Sequence, residues 1–226
     1  MCLPHAGGSA SFFFPVSKAL TPAVEVLAVQ YPGRQDRRHE ANIADLPELA
    51  DRIFAALRGL DDRPMALFGH SMGAVLAYEI ALRARDAGLP SPVRLFASGR
   101  RAPSRHRDER VHLEPDARIV AELRMLSGTN AAMLADPEVL DMIMPAVRSD
   151  YRAVETYRHE PGRTLDCPVT VLTGDSDPRV SPDEAEAWTE HTTGPTEVEV
   201  LPGGHFFLVE HSARVVRLVA DKLKGQ

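Results

Sequence analysis

Gly69-His70-Ser71-Met72-Gly73 is the stretch of this chain best suited to chemistry. It follows a short apolar run, residues 65–68, and precedes an amphipathic stretch, residues 72–87. A serine on a tight strand-to-helix turn projects its hydroxyl from the strand's C-terminal end, and the crowded turn demands small residues two places either side. With 12 Ser and 15 Gly in 226 residues, chance places roughly 0.05 copies of Gly-x-Ser-x-Gly in the chain. The helix that starts there offers an oxyanion a free N–H at Met72 and the positive end of its dipole. The other reading of Ser71 is a helix N-cap without chemistry.

A nucleophilic serine needs a base. Of nine histidines, His205 lies in Pro202-Gly203-Gly204-His205-Phe206-Phe207, directly after the last apolar run. His211 falls inside the final helical stretch and His70 flanks the serine, so both read as structural. An acid is expected after a strand between Ser71 and His205. Thr173-Gly174-Asp175-Ser176-Asp177-Pro178 supplies two candidates, Asp175 and Asp177. In hydrolase turns of the Gly-Asp-x-Asp form the second Asp reaches the histidine while the first caps the turn, which favours Asp177. Its task would be to fix the tautomer of His205 and stabilise its imidazolium. The order serine, acid, histidine is that of α/β-hydrolases. A second oxyanion donor is expected from Pro4-His5-Ala6-Gly7-Gly8-Ser9, where glycines let backbone approach a substrate closely. Ala6 N–H is the candidate; the alternative is a plain glycine turn into a helix over residues 9–20.

The elements that must hold these groups can be read from apolar spacing. Runs at 24–29, 65–68, 93–98, 169–173 and 198–201 read as strands. Between them, residues 46–60 place Leu49, Ile53, Ala56, Leu57 and Leu60 at helical spacing, and residues 72–87 and 208–223 behave likewise. Alternation of this kind means βαβ units and a mainly parallel sheet, an α/β fold flanked by helices. Residues 100–161 break the pattern with no convincing strand. Ile119, Leu123 and Leu126 fit one helix there. Leu140, Met144, Val147, Tyr151 and Val154 fit a longer one that starts after Asp136-Pro137, an N-cap with proline at the first helical position. The expected division is therefore a core of residues 1–99 and 162–226 with a helical insertion over 100–161.

Composition removes other classes. Hydrophobic residues make up 44% and charged residues 26%, as in an ordinary globular protein. A net charge of −6 speaks against a general nucleic-acid binder. There is no leader-like start and no apolar stretch of membrane-spanning length, so a cytoplasmic protein without membrane contact is expected. Cys2 and Cys167 make neither a disulfide framework nor a metal-ligand spacing, and no metal or other cofactor is implied. Arginine supplies 23 of the 26 basic residues, a usage typical of high-GC bacterial genomes.

Five motifs together carry a resemblance. Pro-His-Ala-Gly-Gly-Ser-Ala from Pro4, Tyr-Pro-Gly-Arg-Gln-Asp-Arg from Tyr31, Gly-His-Ser-Met-Gly-Ala from Gly69, Gly-Asp-Ser-Asp-Pro from Gly174 and Gly-Gly-His-Phe-Phe from Gly203 appear in order. The chain resembles, along its whole length, the type II thioesterases that accompany polyketide synthases and non-ribosomal peptide synthetases. The resemblance implies a free-standing, monomeric α/β-hydrolase whose insertion, residues 100–161, is a helical lid. It implies hydrolysis of acyl thioesters from the phosphopantetheine arm of acyl or peptidyl carrier proteins, a proofreading reaction. By matching motif it implies Ser71 as nucleophile, Asp177 as acid, His205 as base, and the backbone N–H groups of Ala6 and Met72 as oxyanion donors. Relatives carry more chain before the Pro-His-Ala-Gly-Gly motif, so a start upstream of Met1 is expected.

Other readings of the same motifs are a small-molecule serine esterase, a fused domain that releases a finished product, and an inactive module that only docks a carrier protein. The Pro-His-Ala-Gly-Gly and Tyr-Pro-Gly-Arg pair speaks against the first. The small chain with no carrier domain before it speaks against the second, and the intact Ser71, Asp177 and His205 against the third. Carrier proteins are acidic near the arm, so a basic docking patch is expected despite the net −6. Arg100, Arg101, Arg105 and Arg107, with Arg110, form one dense cluster that Arg34, Arg37 and Arg38 would extend. A solvated loop whose arginines pair with Asp108 and Glu109 is the alternative. Met125, Met133, Met142 and Met144 suit either an adaptable acyl pocket or the lid's own small core.

Overall fold

The computed structural model describes residues 1–57, 59, 63–126 and 133–224. Five strands form one sheet in chain order: β1 (Cys2–Leu3), β2 (Ala66–His70), β3 (Arg94–Ser98), β4 (Val169–Gly174) and β5 (Thr196–Leu201). Every pairing is parallel, with Phe68 opposite Phe96 and Leu95 opposite Val169. Parallel strands need long crossovers, and helices supply them. They are α1 (Phe14–Leu20), α2 (Leu46–Ala56), α3 (Met72–Asp86), α4 (Asp116–Leu126), α5 (Pro137–Thr156), α6 (Pro182–Glu186), α7 (Phe207–Glu210) and α8 (Ser212–Leu223).

The period of two along each strand divides the core between the sheet's faces. Leu67, Leu95, Ala97, Val169 and Val171 share one core with the buried sides of α2 and α3. Phe68, Phe96 and Leu172 share the other with Leu20, Phe207, Val215 and Val219. Both middle strands, β3 and β4, are buried throughout, which explains why they read as unbroken apolar runs. On α2 the apolar side is Leu46, Leu49, Ala50 and Ile53, and the Asp45 carboxylate caps the helix by accepting from Glu48 N–H at 2.8 Å.

Three expectations differ from what is found. Residues 24–29 are not a strand. They lie beside β1 through one bridge, Cys2 to Ala28, with Cys2 N–H on the Leu27 carbonyl at 2.7 Å and Val29 N–H on the Cys2 carbonyl at 2.9 Å. A strand exists only as far as its partner runs, and β1 is two residues long. The helix beginning at Leu46 ends at Ala56 with Leu57 as its cap, and Leu60 lies outside the described residues. The final helix is broken at His211 (φ −105°, ψ 29°), and the bend brings Phe207 and Leu208 onto the same core as Val215 and Val219.

Among the described residues, the segment 100–161 holds helices and no strand. α4 and α5 enclose a small core of their own: Ile119, Val120, Leu123, Leu134, Met144, Val147 and Tyr151. The Asp136 side chain caps α5, accepting from Glu138 N–H at 2.9 Å, and Pro137 occupies the first turn. Farther along, Ala153 and Val154 of the same helix join the main core. Met144 is buried in the small core, whereas Met125 and Met142 are 58% and 60% exposed. The Met133 side chain lies outside the described residues. No helix among the described residues is long and apolar enough to cross a membrane.

Candidate active site

Ser71 stands between β2 and α3 with φ 54° and ψ −116°, a backbone conformation that a non-glycine residue adopts only under strain. The surrounding fold enforces it. A side-chain carbon at Gly69 would collide with the Gly73 carbonyl, and one at Gly73 would collide with the Leu3 carbonyl. Glycines at these two places let β2, α3 and the end of β1 meet at the serine. Its hydroxyl caps nothing, and no hydrogen bond joins it to any described residue. Met72, the next residue, opens α3, so its N–H has no partner within the helix.

His205 and Asp177 arrive from the ends of two further strands. Asp177 follows β4, and His205 follows β5 on the loop before α7. His205 Nδ1 lies 2.9 Å from Asp177 Oδ2 and 3.1 Å from Oδ1, in a contact where the two side chains are 3% and 0% exposed. Asp177 Oδ1 also accepts from Arg179 N–H at 2.8 Å, which fixes the carboxylate. Asp175 faces elsewhere: its Oδ1 accepts from Gly203 N–H at 3.0 Å and so ties the two loops together. Of the two acids, only Asp177 touches the histidine.

Ser71, His205 and Ala6 line one small cavity of about 40 Å³, closed by Leu126 and Tyr151 of the inserted helices and walled by Arg100. Ala6, which lines the cavity, has an N–H that donates to no described residue, and Met72 N–H stands next to Ser71 at the start of α3. His5 and His70 pack behind His205. The His70 and His205 rings are 5.1 Å apart, and His5 stands edge-on to Phe12 and Phe206 at 4.7 and 4.8 Å. Burial, then the charge of a protonated His205, brings the His5 pKa down to about 3, and the same causes hold His70 well below its ordinary value. These two rings stay neutral beside His205.

The arginines expected at a docking surface are placed otherwise. Arg101 is 3% exposed and paired with Glu109 at 2.5 Å. Its charge is used inside the fold. Arg100 belongs to the cavity wall and donates no hydrogen bond to any described residue. Lowered to about 9 by burial and by Arg101, its pKa reflects a cation set among protein groups. Arg105 and Arg107 are partly exposed, yet each already holds a carboxylate, Glu190 and Glu184 respectively, at 2.5 Å. Arg110 pairs with Asp108, Arg37 with Glu40, and Arg34 turns inward.

Sequence reasoning did not find Arg179 or Glu122, and it named Glu109 only as a partner for the arginines of its own loop. Arg179 donates to Glu109 at 2.7 Å and to Glu122 of α4, so the loop that carries Asp177 is pinned to the inserted helices. Burial alone would raise the Glu109 pKa, but the Arg101 hydrogen bond and the Arg101 and Arg179 charges bring it down to about 2. No local motif announces such a link, because its members lie 57 to 70 residues apart.

Known proteins extend this picture. Residues 1–223 match the family described as the thioesterase domain. The chain is 53% identical, over 99% of its length, to a probable cadicidin biosynthesis thioesterase of Streptomyces griseus, and spans 62% of that protein. It is 46% identical, again over 99% of its length, to thioesterase PikA5 of Streptomyces venezuelae, of which it covers 80%. Among solved structures, the type II thioesterase BorB from the borrelidin biosynthetic cluster superposes with a TM-score of 0.92 at 53% identity, over 99% of this chain and 91% of BorB.

Proposed function

The chain belongs to the thioesterase domain family, and on that premise we propose that it is a type II thioesterase of polyketide or non-ribosomal peptide biosynthesis. Its substrates are acyl thioesters on the phosphopantetheine arm of acyl or peptidyl carrier proteins, and its product is the free acid. The observation that carries this reading is Ser71, strained at the end of β2 over a cavity it shares with His205, whose Nδ1 is held by Asp177. The named roles of similar proteins, one of them described as a type II thioesterase, support the substrate class.

The chemistry is acyl transfer to water. Ser71 Oγ attacks the thioester carbonyl while His205 Nε2 takes its proton. Asp177 keeps the other proton of His205 on Nδ1 and steadies the imidazolium that forms. Charge that develops on the carbonyl oxygen is met by Ala6 and Met72 N–H groups, donors fixed in place before the reaction begins. The thiol of the arm leaves with the proton from His205. Water, activated by the same histidine, then releases the acid from Ser71. No other group enters these steps. The missing Ser71–His205 hydrogen bond fits a resting site, since such bonds tighten only when substrate is bound.

The test compares a short acyl thioester of N-acetylcysteamine with its matching oxygen ester. Turnover of the thioester well above the ester is expected, as is release of the acyl group from a loaded carrier protein, read by intact mass. Turnover of the ester alone would make the protein a small-molecule esterase, and turnover of neither would remove the hydrolytic reading.

A further inference from the structure

The loop Pro4-His5-Ala6-Gly7-Gly8 has almost no side chains with which to fix itself. Its backbone polar groups therefore need partners from outside. Tyr31 Oη donates to the Pro4 carbonyl at 2.9 Å. Gly7 N–H donates to Asp150 Oδ2 at 2.8 Å, and Arg34 Nη1 donates to the Gly8 carbonyl at 3.1 Å. Arg34 and Asp150 are joined to each other by two parallel bonds, Nη1 to Oδ2 at 2.6 Å and Nη2 to Oδ1 at 2.9 Å, with side chains 9% and 1% exposed. The guanidinium also lies 5.1 Å from the centre of the Tyr31 ring. Ala6 sits between these anchors.

Asp150 belongs to α5, the helix of the inserted segment. One turn earlier the same helix presents Val147, whose Cγ2 would lie 2.9 Å from a side-chain carbon at Gly7, a residue at φ +75°. So α5 meets the loop twice, by packing at Val147 and by a charged acceptor at Asp150. A buried carboxylate left alone would be costly, and Arg34 neutralises it while gripping the next carbonyl of the same loop.

We infer that Asp150 and Arg34 are positioning residues for the oxyanion hole, through which the inserted helix α5 sets the place of the Ala6 N–H. The inference rests on the acyl transfer at Ser71 proposed above. It gives the insertion a part in chemistry beyond covering the cavity: the hole is complete only while α5 stays docked. Oxyanion donors work over a narrow range, about 2.7–3.1 Å. A displacement of about 1 Å costs roughly 100-fold in rate.

Two variants test this, Asp150→Asn and Arg34→Lys. Asparagine still accepts from Gly7 but lacks the charge for the two bonds to Arg34. Lysine keeps a charge beside Asp150 but cannot reach both carboxylate oxygens and the Gly8 carbonyl together. The first readout is the rate of Ser71 labelling by an alkyl fluorophosphonate, followed by intact mass. In that step a Ser71 Oγ–P bond forms, the P–F bond breaks, fluoride leaves, the serine proton passes to His205, and the phosphoryl oxygen occupies the oxyanion hole. The second readout is kcat and KM on the short thioester, with circular dichroism to establish folding.

Folded variants should lose 10- to 100-fold in labelling rate and in kcat together, with KM changed less than twofold. Labelling at the wild-type rate in a folded variant overturns the inference, and so does a loss confined to KM. If Asp150→Asn does not fold, Arg34→Lys decides. If the wild-type protein labels at Ser71 but hydrolyses no thioester, the proposed function fails while labelling of the variants still decides the role of Asp150 and Arg34.

Discussion

At Ser71 the fold spends backbone strain to present one hydroxyl. The glycines at 69 and 73 answer to steric demands from Gly73 itself and from the carbonyl of Leu3. A serine so placed contributes little to packing, so Ser71→Ala should fold normally while kcat falls by about 10⁴-fold or more. A retained rate of even a few per cent, measured on the short thioester, would take Ser71 out of the mechanism. The two aspartates of the following loop separate by what they touch. Asp177→Asn should cost about 10⁴-fold in kcat, because an amide at that place favours the wrong tautomer of His205. Asp175→Asn removes a charge from the Gly203 N–H bond and should cost less than about tenfold, since an amide oxygen still accepts there. The reverse ranking, read from steady-state kinetics of the two variants, would reassign the acid.

Elements show where sequence reading succeeds and where it stops. Strands β2 to β5 and helices α2, α3, α4 and α5 were legible because burial imposes a period on each of them locally. The start of α5 was legible as well, since Asp136 and Pro137 act within one turn. Residues 24–29 have the same composition as a strand, but strand pairing is a property of two segments, and β1 offers them only one bridge. The links that fasten the insertion were invisible for a similar reason. Asp150 reaches Arg34 across 116 residues, and Arg179 reaches Glu122 across 57; Arg34 lies in a motif, but nothing around Asp150 or Glu122 marks them as its counterparts. These links divide the insertion. The later part of α5, with Asp150, Ala153 and Val154, is held by the core. α4 is held to the acid loop by Arg179. Pro145 interrupts the hydrogen-bond ladder of α5 between its capped start and its docked end. Glu122→Ala should therefore loosen α4 alone. Hydrogen exchange should show faster amide exchange over residues 116–126, unchanged protection in β3 and β4, and a global stability loss of about 1 kcal/mol. Uniform loss of protection across the sheet would mean that α4 is part of the cooperative core and not a cover.

Across the whole molecule, the same burial that readies the site makes the fold sensitive to acid. His5, His70 and His191 are 8%, 0% and 2% exposed, and each has a ring nitrogen with no partner among the described residues. Burial comes first among the causes that lower all three pKa values. Charges from His205 and Arg34 add at His5, from His205 and His5 at His70, and from His159 and Arg105 at His191. The result is about 3 at His5, about 4 at His191 and well below 6.5 at His70. In the unfolded chain each returns to about 6.5. A lowered folded pKa means that the unfolded state binds protons first as pH falls. The stabilisation is thus complete above about 6.5 and is lost on the way down towards 4 and 3. At pH 5 His5 and His191 cost about 2 kcal/mol each, and His70 acts in the same direction, a large share of the 5–15 kcal/mol that holds an ordinary domain. Carboxylates enter later: Glu109, held near 2 by Arg101 and Arg179 against its burial, loses its contribution only between about 4.5 and 2. The melting temperature should fall steeply between 6.5 and 5, before carboxylates titrate. His191→Gln leaves the active-site histidines in place and should flatten that fall by about a third. A melting curve that stays level down to pH 5 would show that these rings find protons or water in the folded state. The neutral pair behind His205 would then no longer be a fixed feature of the site.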